Sequence, residues 1–189
     1  MTLGTIEAIA AAFGILSVYL STRQIVWSWP TALINLSLYA AYFFAERLYA
    51  LTVLQGVFIA ISIYGWYEWL HGGAQHSALR VSRIPVRLAL ALAGLGAVTW
   101  VALIYALRRF TEDPSPVIDA ALTTMSLVAQ WMMARKYVEC WLLWTAVNLV
   151  SVPFFLIRGD LPTAIQYLVF LGLAPWGYVQ WRASLRQAG

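Results

Sequence analysis

The sequence predicts an all-helical, polytopic membrane protein whose seven transmembrane helices form two parallel triplets joined by a linker helix, a 3+1+3 repeat. Three observations support this prediction. Of the 189 residues, 62% are apolar and only 11% are charged, whereas a soluble domain carries about 25% charged residues. Apolar stretches long enough to cross a bilayer recur along the chain. Finally, polar and aromatic residues of the first third reappear at a nearly constant spacing in the last third.

Seven apolar stretches account for most of the chain, and charged residues or prolines separate them. They cover about residues 4–21, 28–45, 48–70, 86–107, 117–134, 139–157 and 161–181. Each stretch has roughly 17–22 residues, the length that an α-helix needs to span a membrane. We therefore expect residues 1–189 to form a single transmembrane domain.

The repeat appears when the chain is shifted by 112 residues. This shift aligns Arg23 with Arg135, Trp29 with Trp141, Gly65 with Gly177 and Trp69 with Trp181. A one-residue insertion would also pair Asn35 with Asn148 and Leu48 with Leu161. We expect duplicated three-helix units at about 4–70 and 117–181, and a peripheral linker helix at about 86–107. Equivalent helices are four positions apart along the chain, an even number of membrane crossings, so the units would be parallel.

Lysine and arginine are distributed unequally between the two sides of the predicted bundle. The loops on the side of the C-terminus contain Arg23, Arg80, Arg83, Arg87, Arg135, Lys136, Arg182 and Arg186, and the opposite loops contain Arg47, Arg108, Arg109 and Arg158. Cytoplasmic loops carry the excess of positive charge. We therefore expect a cytoplasmic C-terminus and an external N-terminus.

Polar side chains follow one face of five of the spans. A buried polar group costs several kcal/mol in hydrocarbon unless it is paired, so these faces need a partner helix or a watery cavity. On a helix, Trp141, Trp144 and Asn148 share one face, where aromatic rings and an amide suit a flat ring ligand. The candidate substrate-binding residues are Trp144, Asn148, Trp141, Asn35, Gln55, Trp66, Thr123, Gln130, Gln166 and Tyr178.

The same residues also have structural interpretations. Asn35 and Asn148 could bridge helices without contacting a ligand. Tryptophans near the span ends could lie in the membrane interface, and this is the preferred interpretation for Trp69 and Trp181. Asp119 is expected at the outer interface, stabilised by a helix N-terminus.

Motifs for other chemistry are absent from the sequence. His71 and His76 have no nearby cysteine or carboxylate that would complete a metal site. Lys136 is the only lysine, so there is no phosphate-binding P-loop, and neither His-Glu-x-x-His nor Gly-x-Ser-x-Gly occurs. Cys140 is the only cysteine, so no disulfide can form within the chain. We expect no enzymatic activity, no metal, no cofactor and no nucleic-acid partner.

Three motifs together resemble the PnuC family of bacterial vitamin transporters. They are Trp27-x-Trp29-Pro30 leading to Asn35, Tyr64-Gly-Trp-Tyr-Glu-Trp69, and Glu139-x-Trp141-x-x-Trp144-x-x-x-Asn148. The resemblance covers nearly the whole chain, and the last motif is the most specific. It implies a fold like that of the SWEET sugar transporters, a homotrimer in the bacterial inner membrane, and facilitated diffusion of a dephosphorylated vitamin precursor that a separate cytoplasmic kinase traps.

The expected function is therefore uniport of a vitamin precursor with a flat ring, nicotinamide riboside first. The two units would rock around a midplane site. A thiamine or riboflavin uniporter of the same fold is one alternative. A membrane-embedded substrate-binding subunit without transport activity is another, and a proton-coupled carrier that uses Asp119 or Glu7 is a third.

Overall fold

A computed structural model describes residues 3–112 and 114–187, without the side chains of residues 3, 4, 7 and 187. The described residues form seven α-helices: α1 (Leu3–Thr22), α2 (Ser28–Ala45), α3 (Tyr49–His71), α4 (Val86–Phe110), α5 (Pro116–Ala134), α6 (Cys140–Ile157) and α7 (Leu161–Gln187). These bounds agree with the expected spans to within a few residues, except that α7 continues to Gln187. The chain is thus an all-helical, polytopic membrane protein.

Six of the helices form a closed ring in the order α1, α2, α3, α5, α6 and α7, and α7 contacts α1. The remaining helix, α4, packs on the outside against α5 and contains no buried residue. It is also the most apolar helix among the candidate spans. This helix therefore lies outside the ring, at the place where the linker helix was expected.

Length and composition alone identify four of the described helices as able to cross a membrane, namely α3, α4, α5 and α6. The apolar part of α1, Ala8–Thr22, is shorter. In α2 and α7, polar side chains interrupt the apolar sequence but contact neighbouring helices. Asn35 of α2 binds α1 and Gln166 of α7 binds α2, so these two amides have protein partners inside the bundle.

The local backbone structure recurs at an offset of 112 residues. The turns after α1 and α5 place Gln24 and Lys136 at φ of 57° and 51°, and the turns after α2 and α6 place Arg47 and Gly159 at 60° and 78°. A left-handed residue of this kind commonly ends a helix. Both triplets therefore use the same turns at the same positions.

The expected one-residue insertion is wrong, because α2 and α6 each contain 18 residues between equivalent turns. Asn148 is equivalent to Leu36, whereas Asn35 is equivalent to Val147. Leu48 is likewise equivalent to Asp160 and not to Leu161. An insertion inside a helix would rotate every later side chain by about 100° around the axis. The two asparagines thus lie on different faces of their helices.

Four buried indoles close one end of the ring. We call Trp29, Trp69, Trp141 and Trp181 the tryptophan cluster, and this end of the ring the tryptophan end. None of the four is more than 2% exposed. Ring centroids lie 5.3 Å apart for Trp29–Trp69, 5.5 Å for Trp141–Trp181 and 5.8 Å for Trp69–Trp181. The expectation that Trp69 and Trp181 belong to an interfacial belt is wrong, because both rings pack inside the protein.

Two of the cluster indoles link the triplets reciprocally. Trp69 Nε1 donates to the Met133 carbonyl at 3.1 Å, and Trp181 Nε1 donates to the Ser21 carbonyl at 2.9 Å. Both acceptors lie in the last turn of their helices, α5 and α1. The helices α1, α3, α5 and α7 therefore all end at the tryptophan end, and equivalent helices run in the same direction.

The other two indoles lie directly on glycines of the neighbouring helix. Trp29 of α2 packs on Gly65 of α3, and Trp141 of α6 packs on Gly177 of α7. A Cβ atom at Gly177 would lie 2.6 Å from Trp141 Cε2, and one at Gly65 would overlap the Trp29 ring in the same way. Only glycine permits this close approach.

The α3–α4 loop, residues 72–85, crosses the tryptophan end and pairs with the turn between α5 and α6. Ser82 donates its N–H to the Lys136 carbonyl and accepts from the Val138 N–H, both at 3.0 Å. Lys136 Nζ donates to the Leu79 carbonyl at 2.8 Å and lies 4.4 Å from the centre of the Trp69 ring. Lys136 was counted as a loop cation, but it is buried beneath this loop, and burial lowers its pKa to about 8.

We predict that Gly65→Ala and Gly177→Ala each destabilise the fold by about 1–3 kcal/mol, the usual cost of overpacking a filled core. Each new methyl group would collide with an indole that the rest of the cluster holds in place. Thermal unfolding of the purified protein in detergent, followed by tryptophan fluorescence, measures the effect.

Gly56→Ala and Gly172→Ala are matched controls on the same two helices, because a Cβ at either position meets no atom within 4 Å. Melting temperatures that fall equally in the core and control variants would contradict the packing described here.

The burial of Lys136 predicts a stability that rises with pH. Its pKa is about 8 in the folded chain and near its ordinary value of 10.5 in the unfolded chain. Between these values the unfolded state binds more protons, so increasing pH favours the folded state. Below about pH 8 both states are protonated and the cost of burying the charge is fully present.

Lys136→Met keeps the length of the side chain without the amine. The melting temperature of the wild type should therefore rise relative to that of Lys136→Met from about pH 8 to about pH 10. All other ionisable groups are common to the two proteins, so their contributions cancel in the difference. Parallel pH profiles of the two proteins would contradict a buried, titrating amine.

Candidate functional site

The side chains with unsatisfied polar atoms inside the ring identify the candidate site. On α6, Asn148 is 2% exposed and its Oδ1 has no hydrogen-bond partner in the structure. The Nε1 of Trp144, one turn earlier, is also buried without a partner. Leaving such a group unpaired costs about 1–3 kcal/mol. These two atoms are therefore candidates for contacts with a ligand.

Gln55 on α3 adds a third unsatisfied atom, its Oε1. With the Asn148 Oδ1 it supplies a second acceptor, while the Trp144 N–H is a donor. From the rise per residue, Asn148 lies roughly 10 Å and Gln55 roughly 20 Å from the tryptophan cluster along their helices. Residues 48–67 and 140–157, which contain these side chains, include no charged residue. The arrangement suits neutral polar groups of a ligand within the membrane.

The predicted stripe on α6 is divided between two roles. Trp144 and Asn148 have free polar atoms, whereas Trp141 belongs to the tryptophan cluster, where it contacts Gly177 and Trp181. Trp141 Nε1 is also without a hydrogen-bond partner. Its packing shows a structural role, and its predicted role in binding stays a prediction.

Asn35 and Gln166 meet on the opposite part of the ring, around Gly14 of α1. Asn35 Nδ2 donates to the Ala10 carbonyl at 2.6 Å, and the Tyr39 hydroxyl donates to Gln166 Oε1 at 3.4 Å. A Cβ at Gly14 would lie 3.0 Å from Asn35 Nδ2 and 3.2 Å from Gln166 Nε2. The bridging role weighed for Asn35 is therefore present. Tyr39 follows Asn35 by one helical turn, a spacing that is visible in the sequence, whereas nothing in the sequence distinguishes Gly14 as a neighbour of these amides.

On α5, Gln130 Nε2 donates to Ser62 Oγ of α3 at 3.3 Å. Thr123 is half-buried, while the adjacent Thr124 is buried with its hydroxyl unpaired. A Cβ at Gly96 of α4 would lie 3.7 Å from Thr124 Cγ2, so Thr124 belongs to the α4–α5 contact. Gln130 thus already has a protein partner, and α5 contributes fewer free polar atoms than its polar face predicted.

The last two predicted residues lie near the edge of this arrangement. Trp66 is 36% exposed on α3. Tyr178 on α7 is half-buried and packs against the core that contains the tryptophan cluster. Neither has a described polar contact that connects it with Asn148 or Gln55, and their roles in binding stay predictions.

Asp119 lies in the first turn of α5, where Arg158 Nη2 donates to its Oδ2 at 3.1 Å. The ion pair and the helix N-terminus stabilise its charged form, in agreement with the structural interpretation. The other candidate for proton coupling, the Glu7 side chain, lies outside the described residues. Within residues 3–112 and 114–187, no group of three or more His, Cys, Asp or Glu could hold a metal ion.

Comparison with known proteins assigns the chain to a family. Residues 4–183 match the model of the family described as nicotinamide mononucleotide transporter. The nicotinamide riboside transporter PnuC of Escherichia coli K12 is 30% identical over 212 aligned residues, which cover 99% of this chain and 89% of the relative. The riboflavin/roseoflavin transporter RibM of Streptomyces davaonensis is 29% identical, with coverage of 93% and 83%.

A solved structure extends the comparison to the fold. The crystal structure of the vitamin B3 transporter PnuC matches with a TM-score of 0.78 and 23% sequence identity, and the match covers 97% of this chain and 83% of that one. The fold is thus that of a polytopic membrane transporter. The chain belongs to the PnuC family of membrane vitamin transporters, as its tryptophan and asparagine motifs predicted.

Proposed function

We propose that this protein is a passive uniporter of nicotinamide riboside. The observation that carries the proposal is the set of unpaired atoms on α3 and α6, namely Gln55 Oε1, Trp144 Nε1 and Asn148 Oδ1, in uncharged parts of their helices. A ligand that pairs with these atoms would offset the cost of their burial.

Nicotinamide riboside has the groups that this set of atoms requires. Its flat pyridinium ring is cationic and would stack favourably on the indole face of Trp144. The carboxamide N–H and the ribose hydroxyls would donate to the amide oxygens of Gln55 and Asn148. The Trp144 N–H lies in the plane of the indole and would donate to a ribose oxygen beyond the edge of the stacked rings.

The charge distribution favours a nucleoside over a nucleotide. Residues 48–67, 120–134, 140–157 and 161–181 contain no lysine or arginine. A phosphate that crosses the membrane interior would need such cations as partners. The name of the matched family mentions a mononucleotide, whereas the names of its PnuC relatives mention a riboside, and the absence of cations from these segments supports the riboside.

The pairing of Asp119 supports passive transport. Asp119 is paired with Arg158, so it offers no free carboxylate for proton coupling. Facilitated diffusion would then be directed by a cytoplasmic kinase that phosphorylates the imported substrate and keeps it inside.

We further propose a homotrimer in the bacterial inner membrane. The N-terminus would lie outside and the C-terminus in the cytoplasm, because the uneven loop charges favour this orientation.

Riboflavin is the second candidate substrate, because the riboflavin/roseoflavin transporter RibM is 29% identical to this chain. The flat ring system of riboflavin is larger and would stack on the same indole face of Trp144. Thiamine remains an alternative that the family resemblance implies. A substrate-binding subunit without transport activity is the alternative of a different class.

Uptake into proteoliposomes tests the proposal. We predict saturable, equilibrative uptake of labelled nicotinamide riboside that an imposed pH gradient does not change. Accumulation that depends on the gradient would indicate proton coupling instead, and binding without flux would indicate a binding subunit. If unlabelled riboflavin or thiamine competed more strongly than unlabelled nicotinamide riboside, the competitor would replace nicotinamide riboside as the proposed substrate.

Substitutions on α6 test the proposed contacts. Trp144→Ala should weaken binding by about 1–3 kcal/mol, the usual value of stacking a ring on an aromatic side chain. Asn148→Leu should weaken it by about 1 kcal/mol or more through the lost hydrogen bond, and leucine is the residue at the equivalent position 36. Ligand-dependent thermal shifts of the purified variants give the affinities.

Leu149→Ala is the matched control, because Leu149 is 62% exposed on the same helix. Its affinity for nicotinamide riboside should equal that of the wild type. If folded Trp144→Ala and Asn148→Leu also bind with wild-type affinity, both residues have packing roles and the proposed site is wrong.

A further inference from the structure

The ring contains two seams where the triplets meet, one between α3 and α5 and one between α1 and α7. At the tryptophan end each seam has one of the reciprocal indole hydrogen bonds, from Trp69 to Met133 and from Trp181 to Ser21. If nothing else differed, the two seams would be equally resistant to opening. The remaining contacts make them unequal.

The α3–α5 seam is strongly reinforced. Arg135 pairs with Glu68 at 2.7 Å and donates to the Tyr64 hydroxyl at 3.1 Å. The Glu68 side chain is 13% exposed and the Arg135 side chain 34% exposed, so the pair is partly shielded from water. The α3–α4 loop continues across the seam, where Lys136 Nζ binds the Leu79 carbonyl and the Ile84 N–H binds Glu139.

The α1–α7 seam lacks the equivalent charges. At the positions equivalent to Arg135, Glu68 and Tyr64 it has Arg23, Gln180 and Trp176, so no ion pair can form there. Besides the indole bond, the described contacts at this end are a hydrogen bond from Gln24 Nε2 to Ser184 Oγ at 3.1 Å and a ring contact of Trp176 with α1. Among the described contacts, this seam therefore has fewer hydrogen bonds and ion pairs to break.

A cavity of about 350 Å³ lies in front of the weaker seam. Gln24 and Ser184 form one wall, and residues 77–81 of the α3–α4 loop form the other. Its volume is within the range of about 300–1,000 Å³ found for small-molecule sites. The α3–α4 loop, which forms hydrogen bonds across the α3–α5 seam, thus leaves a cavity beside the α1–α7 seam.

We propose that substrate passes the tryptophan end through the α1–α7 seam, with this cavity as its vestibule, while the α3–α5 seam stays closed and serves as the hinge. This inference rests on the proposed transport function. Opening would break the Trp181–Ser21 and Gln24–Ser184 hydrogen bonds and separate the rings of Trp69 and Trp181. The pairs Trp29–Trp69 and Trp141–Trp181 lie within single triplets and would move as units.

Reversible cross-linking tests the assignment of the two seams. In a Cys140→Ala background, Gln24→Cys/Ser184→Cys bridges the α1–α7 seam, and Glu68→Cys/Arg135→Cys bridges the α3–α5 seam as the matched control. A short bis-methanethiosulfonate reagent links each pair, and a reductant releases it. The assay is uptake of labelled nicotinamide riboside into proteoliposomes.

The cross-link across α1–α7 should reduce uptake to the level of protein-free liposomes, and reduction should restore it. The cross-link across α3–α5 should leave uptake unchanged. The assignment would be overturned if both cross-links blocked uptake, if neither did, or if only the cross-link across α3–α5 did. Absence of uptake in the wild type, before any reagent is added, would instead refute the proposed function and leave the seam question to the next measurement.

A distance measurement tests the seams without substrate. Spin labels at positions 23 and 182, both exposed, report the separation of α1 and α7 by pulsed electron resonance. Trp181→Phe removes the hydrogen bond of the weaker seam and should shift the distances to longer values. Trp69→Phe removes the equivalent bond of the reinforced seam and should not. Equal shifts in the two variants, or no shift in Trp181→Phe, would overturn the proposal.

Discussion

The reciprocal indole hydrogen bonds organise the tryptophan end. Each indole N–H is buried and needs an acceptor, and each finds one in the last turn of a helix from the other triplet, at Met133 or Ser21. Each carbonyl also accepts an N–H of the turn that follows its helix, from Lys136 for Met133 and from Gln24 for Ser21, and a carbonyl oxygen has a second lone pair that can accept the indole N–H. Each triplet thus supplies the acceptor for one buried indole N–H of the other.

Close packing is the second requirement of the same cluster. Trp29 and Trp141 reach the centre only because Gly65 and Gly177 carry no side chain. In a membrane the hydrophobic effect does not drive helices together, so small residues that allow close contact contribute much of the helix association. The cluster therefore joins all of the helices that end at this side through packing as well as hydrogen bonding.

The duplicated scaffold carries unequal functional surfaces. Asn148 has a free carbonyl oxygen, whereas Asn35 in the other triplet lies one position out of register and binds the backbone of α1. Within the described part of the chain, the α3–α4 loop forms hydrogen bonds across the α3–α5 seam and not across the α1–α7 seam. An asymmetric ligand such as a nucleoside needs different groups around its ring and its sugar, and these differences between the two triplets supply them without changing the scaffold.

Much of the fold could be predicted from the sequence, because span length, the 112-residue spacing and the apolar character of α4 are properties of the chain itself. The motif of Trp144 and Asn148 likewise indicated two of the α6 side chains whose polar atoms prove to be unsatisfied. The insertion that paired Asn35 with Asn148 was wrong, because matching residue types cannot reveal a helix phase that the flanking turns determine.

The sequence by itself determined the number of helices, their order and the uncharged polar character of their inner faces, since these follow from local composition and periodicity. Only the tertiary structure decided which polar groups are already paired, that Trp69 and Trp181 are buried, and that Lys136 lies beneath a loop. The physical reason is that each of these depends on a neighbour about 60 to 160 residues away in the chain, and a side chain's own identity does not specify which backbone carbonyl or ring it will meet.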